Sequence, residues 1–329
     1  MTPIAKTCTV LARRITAGLM LGLAASASAQ QPYPTKTIRI ISPYPPGGTT
    51  DILARLVGAK LTESWGQQII VDNRPGGSTI IGSEVMVKSP PDGYTLLSIL
   101  TSHVIVPNLA PTPYDVVKDF AAVATIASTQ LVLVVHPSVP ARNLQQLIAL
   151  AKGKPGQINY ASGGSGTVTH LAGEFFNMQA GIKTQHIPYK GSSQALVDVV
   201  GGQVHMYFSP PIVAIAHIKG GRLRAIMLSG DTRLSALPEL PTAMESGLKG
   251  FVVNIWYGLL APAATPSAII NKLGSEIAKV LAMPDIREKL LSQGMEPFIS
   301  TPEQFAALIK ADLAKYTRII KSANIKLEQ

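Results

Sequence analysis

Thr37-Ile38-Arg39-Ile40-Ile41-Ser42-Pro43-Tyr44-Pro45-Pro46-Gly47-Gly48-Thr49-Thr50-Asp51-Ile52-Leu53 holds three kinds of segment in one run. Thr37 to Ser42 alternates and is β-branched, which reads as a strand. The Pro-Gly stretch Pro43 to Gly48 breaks it. Thr49, Thr50 and Asp51 are N-cap types placed before Ile52, Leu53, Leu56 and Val57, the apolar stripe of a helix. Strand, glycine loop, helix is the repeating unit of a parallel α/β sheet.

The pattern spreads outward from there. Ile69-Ile70-Val71 and Tyr94 to Ile99 read as strands, with a helix near 80–88 between them. It restarts at Leu131 to Val135, with a helix over 143–152 and a strand at Ile158 to Ala161. A second glycine loop follows, Ser162-Gly163-Gly164-Ser165-Gly166-Thr167, then a helix over 169–178. Segments 184–188, 204–208, 223–228 and 250–260 read as extended; 192–200, 267–281, 284–292 and 302–322 as helical. Largely parallel sheets are expected. Crossings near 121–135 and 251–260 divide the chain into 30–125 plus 254–329 as domain I and 126–253 as domain II. A cleft between two such domains favours a ligand.

The chain has 329 residues, 46% of them hydrophobic, 28 glycines and a formal charge of +10. Disorder and collagen are excluded by that apolar content and by glycines without a three-residue period. Lys6, Arg13 and Arg14 precede the uncharged run Ile15 to Ala25, 11 residues long, against the ~20 a spanning helix needs. Ala27-Ser28-Ala29 fits a cleavage site, so residues 1–29 read as a signal peptide, with a retained anchor as the alternative. The expected product is exported, to a periplasm. Cys8, the only cysteine, lies in that leader, so no disulfide or thiolate metal site is expected beyond it. Without the leader, 26 basic against 19 acidic residues leave +7. No dense basic run with interleaved aromatics occurs, which disfavours nucleic acid.

The two glycine loops share one design. Glycine lets backbone N–H groups face outward, and the helix start behind it offers unpaired donors and partial positive charge. Each is a candidate anion cradle; each alone reads equally as a capped tight connection. The first runs from Ser42 to Asp51, where Asp51 caps the helix or orders donors and water in the loop rather than touching an anion. The second runs from Tyr160 to His170. Ser102 and Ser209 end strands as candidate pocket edges, and Ser192 starts another helix. No G-x-S-x-G, dinucleotide or Walker pattern occurs, and the six histidines show no metal spacing. A secreted serine hydrolase using Ser162 or Ser165 stays open as an alternative that needs a histidine within reach. Trp256-Tyr257 reads as core, with a cleft-facing role as the other option.

Several segments, in order, carry a resemblance. They are Tyr33-Pro34 with Ile38-Arg39; Pro45-Pro46-Gly47-Gly48 with Asp51; Asn73-Arg74-Pro75-Gly76; Pro91-Asp92-Gly93-Tyr94-Thr95-Leu96; Tyr160-Ala161-Ser162-Gly163 with His170-Leu171-Ala172-Gly173-Glu174; Pro188-Tyr189-Lys190-Gly191; Gly201-Gly202-Gln203-Val204; and Pro238 to Thr242 with Glu245-Ser246-Gly247. The chain resembles the Bug-type receptors, extracytoplasmic solute-binding proteins of tripartite tricarboxylate transporters. The resemblance implies an α/β, two-lobed Venus-flytrap fold and capture of a small carboxylate by a monomer. It implies handover to membrane subunits, or signalling to a sensor kinase, without cofactor or catalysis. It places the ligand carboxylate between the two glycine loops, at Tyr44, Gly47, Gly48, Thr49 and Thr50 of the first and Ser162, Gly166 and Thr167 of the second, with Ser102 on the facing edge. Ser209 and His205 stand where many members carry Asp. That change weakens an amino-acid ligand and leans toward a dicarboxylate, aliphatic or aromatic such as terephthalate, for which Tyr44 is a stacking surface.

Overall fold

A computed structural model describes residues 33–322; the leader expected at 1–29, with Cys8 and the Ala29 cleavage point, lies outside them. The opening run folds as read: β1 (Ile38–Ser42), a loop, and α1 (Thr49–Trp65). Ile38, Ile40 and Ile41 are fully buried, and α1 lays Leu53, Ala54, Val57 and Leu61 on the sheet. Gly66, in the left-handed region at φ 64°, ends α1 by donating to Thr62 O at 2.9 Å.

The first half continues with β2 (Ile69–Asn73), α2 (Ile80–Val87), β3 (Thr95–Leu100), the short α3 (Ser102–Ile105) and the long β4 (Phe120–Gln130). After Leu131 come β5 (Val132–Val135), α4 (Leu144–Gly153), β6 (Asn159–Ser162), α5 (Val168–Ala180), β7 (Gln185–Pro188), α6 (Ser192–Val200), β8 (Met206–Ser209), α7 (Pro211–Lys219) and β9 (Arg224–Leu228). The chain returns through β10 (Asn254–Pro262), α8 (Ser267–Ala282), α9 (Pro284–Ser292), β11 (Glu296–Pro297) and α10 (Pro302–Ser322).

The strands form two sheets, ordered β11-β4-β10-β3-β1-β2 and β7-β6-β8-β5-β9. Each is the floor of one lobe. β1 with β2 and β3, and β6 with β7 and β8, are parallel as expected. The sheets are nonetheless mixed: β10 runs antiparallel to β3 and β4, and β5 antiparallel to β8 and β9. The crossing strands enter each sheet from the other lobe, and their direction is set by that entry rather than by a βαβ crossover. α7 begins directly after Ser209-Pro210, a helix the sequence pattern does not mark. Pro211 occupies the first helical position, where its missing N–H costs nothing.

Ser229 stitches the crossings. Its Oγ donates to Val253 O at 2.7 Å and accepts from Leu131 N at 2.8 Å. Its own N–H reaches Leu131 O, and its carbonyl takes Val253 N, both at 2.8 Å. From Lys36 onward the described residues form one compact unit, so the lobes are pressed together. Among the described residues, no helix is long and apolar enough to cross a membrane.

In the second lobe, α5 packs backbone-close on β6. A Cβ at Gly173 would stand 2.2 Å from Cε2 of Tyr160. That ring is pinned by its hydroxyl on Glu174 Oε1 and by stacking on His186 at 4.9 Å. Gly173→Ala should therefore cost about 2 kcal/mol of stability, read as a Tm lowered by a few degrees. An unchanged Tm would mean that helix and strand separate without strain.

Candidate functional site

Both glycine loops end up on the cleft. In the first, Asp51 is the organiser. Its carboxylate takes the Gly47 N–H at 3.0 Å, Arg55 Nε at 3.0 and 3.1 Å, and Asn73 Nδ2 at 3.0 Å. Burial works against its ionisation, but Arg55, the Gly47 amide and Asn73 outweigh it and hold the carboxyl below its ordinary value. The loop-ordering role expected of Asp51 is the one these bonds describe. Gly48 is the N-cap of α1 and brings no side chain, so the first-turn donors around Thr49 and Thr50, both buried, are left uncapped.

The second loop is more self-contained. Gly163 N donates to Thr169 Oγ1 at 2.9 Å, Gly164 N to Ser162 Oγ at 3.1 Å, Gly166 N to His170 Nδ1 at 3.2 Å and Thr167 N to Gly164 O at 3.2 Å. The amide of Gly166, expected to face an anion, is thus committed within the chain. His170 reaches it because helical side chains lean back over the preceding turn. Thr167 caps α5, accepting from His170 N.

The two lobes touch directly. Val168 N, in the first turn of α5, donates to Ser102 Oγ at 3.3 Å, and Ser102 sits beside the Tyr44 phenol. Ser78 Oγ donates to Ser165 O at 3.0 Å. Ser78 and Thr79 hold positive φ, 52° and 85°, which is strained for non-glycine residues and especially for a β-branched one.

Two connected spaces lie between the loops. An inner cavity of about 20 Å³ is lined by Tyr44, Thr167, Thr169, Ser192, Pro210 and Tyr257 among others. An outer chamber of about 450 Å³ shares Tyr44, Gly163 and Thr167 with it, and adds Ser78, Gly164, Ser165 and Lys190. A larger depression of about 490 Å³ beside Pro284 and Arg287 shares no residue with either and touches none of these loops. Tyr257 lines the inner cavity, and its buried hydroxyl has no hydrogen-bond partner; nor do those of Thr49 and Tyr207, which lie behind the lining. Tyr257 faces Thr49, and Tyr207 faces Ser192 and Thr169, in each case outside hydrogen-bond geometry. Burial pushes the Tyr44, Tyr207 and Tyr257 phenols well above the ordinary range. They stay protonated and act as donors.

Of the residues singled out from the sequence, Tyr44, Thr167 and Ser192 line the inner cavity. Thr49 faces its Tyr257 wall and Ser102 backs Tyr44. Ser162 and Ser209 line neither space. Ser209 Oγ, fully buried, donates to Pro210 O at 3.2 Å. His205 accepts Asn159 N at 3.0 Å, a bond between strands. Tyr207 is the residue that sequence reasoning missed, and for Tyr257 the cleft-facing option, not the preferred core reading, is the one its place in the cavity lining describes. Their signal was the alternation of a strand: Trp256, bonded through Nε1 to Asp312 at 2.7 Å, faces the other side.

The hydrolase geometry is half present. Ser162 Oγ and His186 Nε2 are 2.7 Å apart. Yet Ser162 is fully buried and already accepts the Gly164 N–H. His186 is pushed down to about 3 by burial and by the neighbouring His170, too weak a base for work at neutral pH. Among the described residues no group of three His, Cys, Asp or Glu is placed to hold a metal ion.

Residues 53–325 match the family described as tripartite tricarboxylate transporter family receptor. Protein BugT of Bordetella pertussis is 35% identical over 310 residues, covering 93% of this chain and 95% of that protein. Among solved structures, an R. palustris protein with adipate superposes with a TM-score of 0.87 at 31% identity, covering 89% of this chain and 99% of that one. MatC from Rhodopseudomonas palustris with bound malate gives 0.82 at 27%, covering 88% and 100%.

Proposed function

The chain belongs to the tripartite tricarboxylate transporter receptor family, and from that premise we propose that it captures a small ionised carboxylate, preferentially a dicarboxylate, between its two lobes. The solute is then handed to the membrane subunits of such a transporter. The observation that carries this reading is the wall of the inner cavity, where Tyr257 offers a buried hydroxyl without an acceptor, backed by the equally unpaired hydroxyls of Thr49 beside it and Tyr207 beside Ser192 and Thr169. A buried hydroxyl left unpaired costs about 1–3 kcal/mol. A carboxylate oxygen, acceptor only, relieves several at once. An ammonium, donor only, relieves none of them as acceptor. The related proteins solved with adipate and malate hold dicarboxylates, in keeping with that preference.

No catalytic step belongs to this reading. The protein works in the periplasm, delivered there by the leader that ends at Ala29, and it acts as a monomer. Its two lobes, 30–125 plus 254–329 and 126–253, open and close about the crossings that Ser229 joins.

Tyr257→Phe tests the site through two opposite effects. Loss of an unpaired buried hydroxyl should raise the Tm of the ligand-free protein slightly. The same loss should weaken carboxylate binding about tenfold in calorimetric titration, a charged hydrogen bond being worth about 1.5–3 kcal/mol. The panel comprises mono-, di- and tricarboxylates, terephthalate and amino acids. A variant that binds as tightly as wild type would remove Tyr257 from the site. Amino acids alone binding would overturn the donor-lined reading.

A further inference from the structure

The outer chamber has a charge pattern that the inner cavity does not explain. Among its fourteen lining residues no carboxylate occurs, and the ionisable groups are Tyr44, Tyr189 and Lys190. Tyr189 is committed: its hydroxyl donates to Asp198 Oδ2 at 2.6 Å, and burial with the Asp198 charge pushes its pKa up to about 12. Asp198 is thereby engaged away from Lys190. Lys190 is exposed, and no ion pair or hydrogen bond of its ammonium occurs among the described residues.

The backbone on either side of Lys190 is fixed. Tyr189 N donates to Ser162 O at 3.1 Å, next to the second glycine loop. Gly191 packs against Pro45 of the first loop. A lysine whose neighbours are anchored to both lobes cannot leave the chamber by loop motion alone while the lobes touch. Its four-carbon stem lets the ammonium follow a ligand group over several ångströms.

Resting on the carboxylate-receptor reading, we propose that Lys190 is the specificity residue for the ligand's second, outward anionic group. The inner donors take one carboxylate, and the outer chamber takes the other against Lys190. The substrate class is then a dianion with an acceptor at each end. An ω-amino acid places its ammonium against Lys190, a like-charge contact, and is disfavoured. The positive chamber discriminates by repulsion as well as attraction.

The test pairs each dicarboxylate with the monocarboxylate of the same skeleton: succinate with butyrate, adipate with hexanoate, terephthalate with 4-methylbenzoate. Titration calorimetry is run on the full protein after removal of co-purified ligand, for wild type, Lys190→Gln and Lys190→Arg. Exposed pairs are worth at most about fivefold, and those sheltered in a cleft more. The dicarboxylate-to-monocarboxylate affinity ratio should reach about tenfold for the best-fitting skeleton in wild type. It should fall to about twofold or less in Lys190→Gln and return in Lys190→Arg. It should also shrink as salt is raised from low to high concentration, because Lys190 is solvent-exposed.

A ratio unchanged in Lys190→Gln overturns the assignment and leaves the receptor reading standing. So does a wild-type ratio near one. A 4-aminobutyrate or 6-aminohexanoate affinity equal to that of the matching dicarboxylate does the same. Absence of binding by every acid, mono and di, in wild type overturns the assignment together with the receptor reading.

Discussion

Gly191→Val will lower carboxylate affinity about a hundredfold and leave the ligand-free Tm within a few degrees. Gly191 has an extended backbone, φ 164°, which any residue adopts, so the substitution carries no backbone strain. What it adds is volume at the meeting of the lobes. A Cβ there would stand 2.8 Å from Pro45 Cδ and 3.0 Å from Cγ. A proline ring has no rotamer to turn away into. The contact joins the loop before α6 to the loop before α1, elements of different lobes, so the cheapest relief is a hinge held ajar rather than a repacked core. Ser78 Oγ to Ser165 O and Val168 N to Ser102 Oγ, two hydrogen bonds between the lobes at the same cleft, would lengthen with it. A ligand in that cleft keeps the donors of one lobe and loses those of the other. Two hydrogen bonds to a charged group, at about 1.5 kcal/mol or more each, amount to about a hundredfold. Gly191→Ala should show the same effect in smaller measure. Small-angle scattering on Gly191→Val should give a radius of gyration that no longer contracts when ligand is added. An affinity within threefold of wild type, or normal contraction, would place the binding step outside lobe closure.

What the sequence disclosed follows the range of the physics. β1 and α1 were legible because their signals are local: β-branched alternation at Ile38 to Ile41, then cap residues before an apolar stripe. The role of Asp51 was legible for the same reason, four residues from the Gly47 amide that it holds. The direction of β10 was not, because a strand's pleat is the same whether its neighbour runs with it or against it. Nor was the fate of the Gly166 amide. It depends on the rotamer of His170, which turns the ring back toward the loop. Ser162 and Ser209 carried hydroxyls at strand ends, the right chemistry, but Ser209 is spent on the Pro210 carbonyl and Ser162 on the Gly164 amide and the His186 ring. Trp256 and Tyr257 show the limit most plainly. Period two says that adjacent residues face opposite sides, and only the packing of α10, with Phe305 edge-on to Trp256 at 5.2 Å, decides which side is core.

Acidification should destabilise the protein well above the pH where carboxylates titrate. Three buried histidines are held neutral, with burial the largest cause: His103 and His170 are pushed down to about 4, and His186 to about 3. Their surroundings are nearly chargeless. His103 Nε2 meets Val116 O at 3.0 Å and its ring lies edge-on to Phe120. His170 and His186 stack on each other at 4.1 Å, so each proton would also repel the next. The one carboxylate near this cluster, Glu174, is engaged with the Tyr160 hydroxyl. In the unfolded chain each histidine binds its proton near pH 6.5. The folded values lie below that, so between about pH 6.5 and 4 the unfolded state holds more protons. The stabilisation is full above pH 6.5 and is lost as pH falls through the folded values. At about 1.4 kcal/mol per pKa unit, discounted for the partial exposure around His186, the loss amounts to several kcal/mol. Asp51 and the other carboxylates held below their ordinary values add their share only below about pH 4, so a Tm series from 7.0 to 4.5 isolates the histidines. Ligand binding should weaken only as pH approaches about 4, where the folded protein's His170 takes its proton, Nδ1 can no longer accept the Gly166 N–H and the second glycine loop must rearrange. In a His170→Asn/His186→Gln variant the slope of Tm against pH should flatten by more than half. A variant slope equal to that of wild type would assign the acid sensitivity elsewhere, and a wild-type Tm flat between 6.5 and 4.5 would mean that these rings are hydrated in solution.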